Sequence, residues 1–199
     1  MIIDAVDTRS LCLTCHDEAK APEKIHLPYA QNSCIDWHAA HTSDHQKLLN
    51  NSPGKLCVTC HEQMAPLGLE GSEVHAPVAG GECLSCHKAH SAREDSLMVK
   101  SAELICFDCH DRHSYAEGVV SHPPAAEGLC LGCHNPHNSF EAMLLREKEE
   151  KICLTCHGNV LAEKGLESLH SPFSKGQCSG CHQPHQGVEI SLLKESLDD

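Results

Sequence analysis

The sequence predicts a mostly coil protein with short α-helices and little or no sheet, built from a repeated unit and packed around something other than its own apolar side chains. Three observations carry this expectation. Of 199 residues 40% are nominally hydrophobic, yet only 3% are aromatic and 15 of the apolar residues are cysteines, so little bulk remains for an ordinary core. Histidine and cysteine number 18 and 15, far above usual levels, and chains short of apolar bulk compensate with cross-links or metal sites. Proline and glycine recur at regular intervals and cut the chain into short elements.

The formal charge is −13, from 28 acidic and 15 basic residues. That charge disfavours nucleic acid and anionic membranes as partners and favours a protein with a basic docking surface. No apolar run is long enough for a membrane span. The start, MIIDAVDTRSLC, lacks the positive segment and apolar stretch of an export signal.

The chemistry lies in C-x-x-C-H. Seven copies stand at Cys12-Cys15-His16, Cys57-Cys60-His61, Cys83-Cys86-His87, Cys106-Cys109-His110, Cys130-Cys133-His134, Cys153-Cys156-His157 and Cys178-Cys181-His182. They use fourteen cysteines; the fifteenth, Cys34, opens the variant Cys34-Ile35-Asp36-Trp37-His38, in which tryptophan replaces the second cysteine. In a c-type haem site two thiols add to the porphyrin vinyl groups and the adjoining histidine reaches the iron. A disulfide framework gives no reason for a histidine after every second cysteine, and zinc sites do not require one there. The expected cofactor is therefore haem c, seven copies at the intact motifs. The expectation at Cys34 and His38 is an eighth haem held by one thioether with Trp37 beside the porphyrin; the alternative is a vacant site.

A longer repeat surrounds these motifs. His26, His75, His122 and His170 begin H-x-P sequences eight residues ahead of Cys34, Cys83, Cys130 and Cys178. Seven residues after those cysteines come His41, His90, His137 and His185, and fourteen after them Leu48, Leu97, Leu144 and Leu192. Another motif opens twenty-three residues after the first three cysteines, so the unit recurs every 47 to 49 residues. The arrangement resembles the doubled C-x-x-C-H family of multihaem c-type cytochromes, from Leu11 to about Leu193. The resemblance implies electron-transfer haems with two axial histidines in an exported microbial protein, periplasmic or extracellular. It departs from the family pattern at Trp37 and at both ends.

The repeat divides the chain into an N-terminal half-unit with one motif (1–24), three repeats (25–72 with the variant motif, 73–119 and 120–167) and a C-terminal half-unit with one motif (168–199). Together they are expected to form one continuous haem-cored domain. Eight proximal histidines (His16, His38, His61, His87, His110, His134, His157, His182) leave ten, of which the four H-x-P and four C-H-x-x-H histidines supply one distal ligand per haem. His45 and His113 are then spare. A proximal histidine and the histidine three residues on share one face of a short helix and cannot bracket one iron. His41, His90, His137 and His185 are therefore expected on neighbouring haems, while the target of the H-x-P histidines stays open.

Short helices are expected to carry the motifs, with Thr42 or Ser43, Ser91 and Asn138 or Ser139 as helix caps and a helix over 140–151. The H-x-P stretches read as irregular loops, and the recurring leucines as core against the haems. Two histidines per iron leave no open position, so the expected function is an electron relay, not an enzyme, linking redox proteins as donor and acceptor. A multihaem oxidoreductase with an open haem near Trp37 is one alternative, and a subunit of an extracellular cytochrome filament is another. The balanced histidine count favours a monomer over a head-to-tail filament, with the haems of His16 and His182 the most exposed and serving as the ends of the relay.

Overall fold

The computed structural model describes residues 8–16, 24–31, 34–64, 70–115 and 119–195. Within them the α-helices are Thr8–Cys12, Leu27–Ala30, Cys34–Trp37, Pro53–Val58, Ala76–Ala79, Ala102–Ile105, Arg112–Tyr115, Pro123–Ala126, Glu149–Leu154 and Ser171–Ser174. None exceeds six residues, and coil and single 3-10 turns make up most of the rest, as the sequence predicts. The only apolar side chain buried among the described residues is Ala92, and no large side chain is fully buried. The polypeptide does not supply its own core.

Sheet is confined to two-residue strands: β1 (Lys24–Ile25), β2 (Glu73–Val74), β3 (Ser91–Ala92), β4 (Val120–Ser121), β5 (Asn138–Ser139) and β6 (Gln186–Gly187). They pair antiparallel as β1 with β3, β2 with β5 and β4 with β6. Each pair joins the residues ahead of an H-x-P histidine to those just after the C-H-x-x-H histidine of the following repeat. The pairs thus stitch one repeat to the next.

By contacts the chain forms two units, Met1–Gly68 with Ala76–Ser101 and Leu69–His75 with Ala102–Asp199. In the first, Pro53–Val58 packs on the 3-10 turn Cys83–Ser85. A Cβ on Gly54 would stand 2.8 Å from the Cα of Gly81, so the two backbones touch. In the second, Ala102–Ile105 packs on Cys130–Gly132 and Glu149–Leu154 on Cys178–Gly180. There Gly128 adopts φ +75°, and a Cβ on it would fall 2.6 Å from the Glu103 carbonyl oxygen.

Three local expectations need correction. The H-x-P stretches are helical turns, because proline at the first positions costs no hydrogen bond there; His26, His122 and His170 sit at their N-caps. Ser91, Asn138 and Ser139 lie in β3 and β5 and cap no helix. The Ser43 and Ser139 hydroxyls instead accept the N–H of His45 and Glu141 and donate to the carbonyls of Leu49 and Leu145. Of the expected 140–151 helix only the last three residues are α-helical, as the start of Glu149–Leu154, while Ala142–Leu144 form a 3-10 turn. Leu48, Leu97, Leu144 and Leu192 are each the second of two consecutive left-handed residues, with φ between 54° and 57°. Leu48 is 43% exposed.

Candidate cofactor sites

Each attachment motif is one closed helical turn. At His16, His38, His61, His87, His110, His134, His157 and His182 the backbone N–H donates to the carbonyl of the motif's first cysteine at 2.9–3.0 Å. One turn brings residues three and four apart to the same side, which sets both thiols beside the imidazole. Thr14, Thr59 and Thr155, each just ahead of a second cysteine, donate their hydroxyls to the carbonyls of Leu11, Leu56 and Ile152. The CIDWH turn closes as the intact motifs do, with His38 N–H to the Cys34 carbonyl at 2.9 Å. None of the fifteen cysteines forms a disulfide.

The left-handed pairs aim carbonyls at these turns. His38, His87, His134 and His182 donate Nδ1–H to the carbonyls of Lys47, Ser96, Met143 and Ser191 at 2.8–2.9 Å. Those four are the first residues of the pairs, with φ 51–62°, in a region that costs an L-residue about 1–2 kcal/mol. The loop also closes onto its motif through backbone bridges from His38 to Leu49, His87 to Met98, His134 to Leu145 and His182 to Leu193. The H-x-P histidines are oriented similarly by another repeat. His26, His75 and His122 donate Nδ1–H to the carbonyls of Ala89, Pro136 and Pro184 at 2.8–2.9 Å. Since a carbonyl only accepts, all seven rings carry a proton on Nδ1, and in its neutral form each would present Nε2 as a lone-pair donor.

The rings then fall into pairs. Centroids lie 6.2 Å apart for His26 and His61, 6.1 Å for His75 and His110, and 6.2 Å for His122 and His157, with planes 14–22° from parallel. His134 and His185 lie 5.9 Å apart at 22°, and His38 and His90 6.0 Å apart at 43°. Two metal–nitrogen bonds of about 2.0–2.1 Å and two ring radii of roughly 1.1 Å put imidazoles on opposite sides of one ion about 6.2–6.4 Å apart. The observed spacing fits that demand. Burial, then the charges of His38 and His26, hold the His90 pKa below the usual imidazole value, and burial, then His134 and His122, do the same for His185. Both rings therefore favour the neutral form that a metal requires.

The doubled CXXCH motif model matches the chain four times, over residues 26–66, 75–115, 122–162 and 170–199. The chain belongs to the doubled CXXCH motif family. Its repeated motifs make it a multihaem c-type cytochrome, a class typically found in the periplasm or outside the cell. No curated protein matches it.

The cytochrome's donor set fits haem c on its own geometry: paired thiols and an imidazole on one turn, with a second imidazole at metal-spanning distance. Thiols of consecutive motifs also crowd together. Burial and then Cys83 push the Cys57 thiol up to about 11, and burial and then Cys178 push Cys153 up to about 12. Burial raises Cys133 too, with Cys156 the next cause. Among the described residues Glu149, Cys153 and Cys178 bring three ligand atoms within 4.8 Å of one another. A structural zinc site takes four ligands, and these two cysteines open consecutive haem motifs, so the cluster reflects the motifs' close approach.

The remaining sequence-selected residues are also placed. His87 and His137 occupy the repeat positions of His134 and His185. No ring lies against His16, His41, His170 or His182 among the described residues. His45 and His113 join none of the pairs. Trp37 stands edge-on to His26 with centroids 5.6 Å apart. Sequence reasoning missed the carbonyls that orient the rings, although the recurring leucines marked the residues beside four of them. It also missed Tyr29, 5.0 Å from His90, and Tyr115, which contacts His110 at 5.7 Å and His185 at 5.3 Å. No helix among the described residues is long and apolar enough to cross a membrane.

Proposed function

We propose that this cytochrome relays electrons along seven or eight haems, each held between two histidine imidazoles, and exchanges them with redox proteins in anaerobic or extracellular respiration. The five imidazole pairs at 5.9–6.2 Å carry the reading. They give His61 the second ligand His26, His110 the ligand His75, His157 the ligand His122, His134 the ligand His185 and His38 the ligand His90. Each proximal histidine works with the cysteines of its own motif, and His16, His87 and His182 serve further haems in the same way.

Haem c, when bound, supplies a one-electron couple. The polypeptide holds one imidazole of each pair, that of His26, His38, His75, His122 or His134, through Nδ1–H donation to a carbonyl, and sets its angle through the loop that bears that carbonyl. With haem bound, a histidine nitrogen from each member of a pair would leave substrate no place on the iron, which supports a carrier over an enzyme. Because His90 stands opposite His38, the same logic extends to the Trp37 site, with one thioether from Cys34. The net charge of −13 suits redox partners with basic docking surfaces, working in the periplasm or outside the cell.

A pyridine haemochrome assay against protein mass, combined with electron paramagnetic resonance, tests the reading. Seven or eight haems per chain with low-spin signals from the five paired sites are expected. Bound zinc in place of haem, or high-spin iron at the paired sites, would overturn it.

A further inference from the structure

In each imidazole pair one histidine stands beside the cysteines of its own motif, and the other comes from elsewhere in the chain. The second members are His26, His75, His122, His90 and His185. A motif histidine is tethered through its cysteines, but a second ligand is free to turn about its metal–nitrogen bond unless a neighbour holds its plane. Carbonyls on Nδ1 hold His26, His75 and His122. Among the described residues the His90 and His185 rings make no hydrogen bond. Each lies instead against a tyrosine: Tyr29 at 5.0 Å and 36° from His90, and Tyr115 at 5.3 Å and 77° from His185. Tilted and edge-on rings attract one another at these separations.

Resting on the ligand reading above, we propose that Tyr29 and Tyr115 are positioning residues for His90 and His185, fixing with an aromatic ring the imidazole plane that a carbonyl fixes at the H-x-P histidines.

Both tyrosines are anchored beside the histidine they face. Tyr29 lies three residues after His26, whose Nδ1–H donates to the Ala89 carbonyl and whose backbone N–H donates to the His90 carbonyl, each at 2.8 Å. One junction therefore orients two ligands: the segment ending in His90 holds His26, and the turn after His26 carries the ring that holds His90. The Arg9 guanidinium covers Tyr29 at 5.3 Å from the ring centroid and donates to its carbonyl at 3.4 Å. The planes of His38 and His90 meet at 43°, against 14–22° in the other four pairs. Low-spin ferric iron favours parallel imidazole planes, so the wider angle has to be imposed, and Tyr29 packs on the deviating ligand.

In repeat 3 the position equivalent to Tyr29 is Ala125, which has no ring to offer. Tyr115 comes instead from the helix Arg112–Tyr115, where Asp111 accepts the His113 N–H at 3.1 Å and the Ser114 hydroxyl at 2.9 Å. Gln186, next to His185, donates its side-chain N–H to the His113 carbonyl and fastens that helix to β6. Tyr115 also stands edge-on to His110 at 5.7 Å, so one ring serves ligands of two haem sites. It is 38% exposed and is no anchor of a core.

Electron paramagnetic resonance of the oxidised, haem-loaded chain tests this, because low-spin g anisotropy follows the angle between axial imidazole planes. His90→Ala and His185→Ala identify the signals of the His38 and His134 haems as those that turn high-spin. Tyr29→Leu is expected to lower the largest g value of the His38 haem alone, as His90 turns toward parallel with His38. Tyr115→Leu should shift two signals, those of the His134 and His110 haems. Tyr29→Phe and Tyr115→Phe should keep the wild-type values, since the ring carries the effect, and an unchanged haem count by intact mass shows that each variant is loaded. Unchanged g values in the leucine variants, phenylalanine variants that shift as the leucine variants do, or an equal shift at every haem would overturn the role of the tyrosines and leave the ligand pairs standing. Alanine variants that open no haem would overturn the ligand reading, and the proposal with it.

Discussion

His26 and His61, 35 residues apart in sequence, face each other with centroids 6.2 Å apart and planes 16° from parallel. His26 reaches that position because its Nδ1–H is held by the Ala89 carbonyl of the next repeat, at 2.8 Å. One histidine thus ties local sequence, inter-repeat strand pairing and metal geometry together. Replacing it with alanine is expected to open the haem of Cys57, Cys60 and His61 while the haem of His38 stays low-spin. Magnetic circular dichroism reads this directly, and a new high-spin signal at His38 instead would reverse the assignment.

Met143 separates backbone strain from packing. It holds φ 57° while its side chain is 75% exposed, so Met143→Gly removes strain and few contacts. A gain of about 0.5–1 kcal/mol in unfolding free energy is expected, since left-handed backbone costs an L-residue about 1–2 kcal/mol and glycine entropy returns part of it. Met143→Ile should lower stability, because a β-branched residue tolerates positive φ poorly. Denaturant titration of the haem-loaded protein measures both. Equal midpoints would show that the turn holds no strain.

Much of the site was legible in sequence because covalent attachment demands a fixed local pattern. One turn must carry Cys, Cys and His, and the seven intact motifs together with His38 all close that turn. The mostly coil fold followed from the thin core, which Ala92 alone represents among the described buried apolar residues. The carbonyls of Lys47, Ser96, Met143 and Ser191 were not legible, since any residue type supplies a carbonyl and only backbone conformation aims it. For the same reason helix propensity misled over 140–151: the left-handed pair Met143-Leu144 turns the chain back toward His134, overriding residues that favour helix.

Gly128 tests the packing of consecutive motifs. Its φ is +75°, and the methyl group of an alanine there would meet the Glu103 carbonyl oxygen at 2.6 Å, so Gly128→Ala must shift backbone. A loss of about 1–3 kcal/mol is expected. Gly180, with nothing within 4 Å of its Cβ position, is the control, and Gly180→Ala should change stability by about 0.5 kcal/mol or less. Equal effects in the two variants would argue against a tight approach at Gly128.

The Trp37 site makes a countable prediction. Its turn, its Lys47 carbonyl and its His90 counterpart are all in place, so intact mass is expected to show eight haem increments. Cys34→Ser should remove one increment by abolishing the single thioether, whereas Trp37→Cys should keep eight. Seven increments in the wild type would mean that the site is vacant.

The central claim is that paired imidazoles hold the haems as an electron relay. Near-infrared magnetic circular dichroism of the oxidised, haem-loaded protein tests it most directly, because its charge-transfer band distinguishes bis-imidazole from other axial ligation. The account predicts that the haems of His38, His61, His110, His134 and His157 all contribute bis-imidazole, low-spin intensity. Intensity from a different ligand pair, or high-spin iron at any of these five sites, would contradict it.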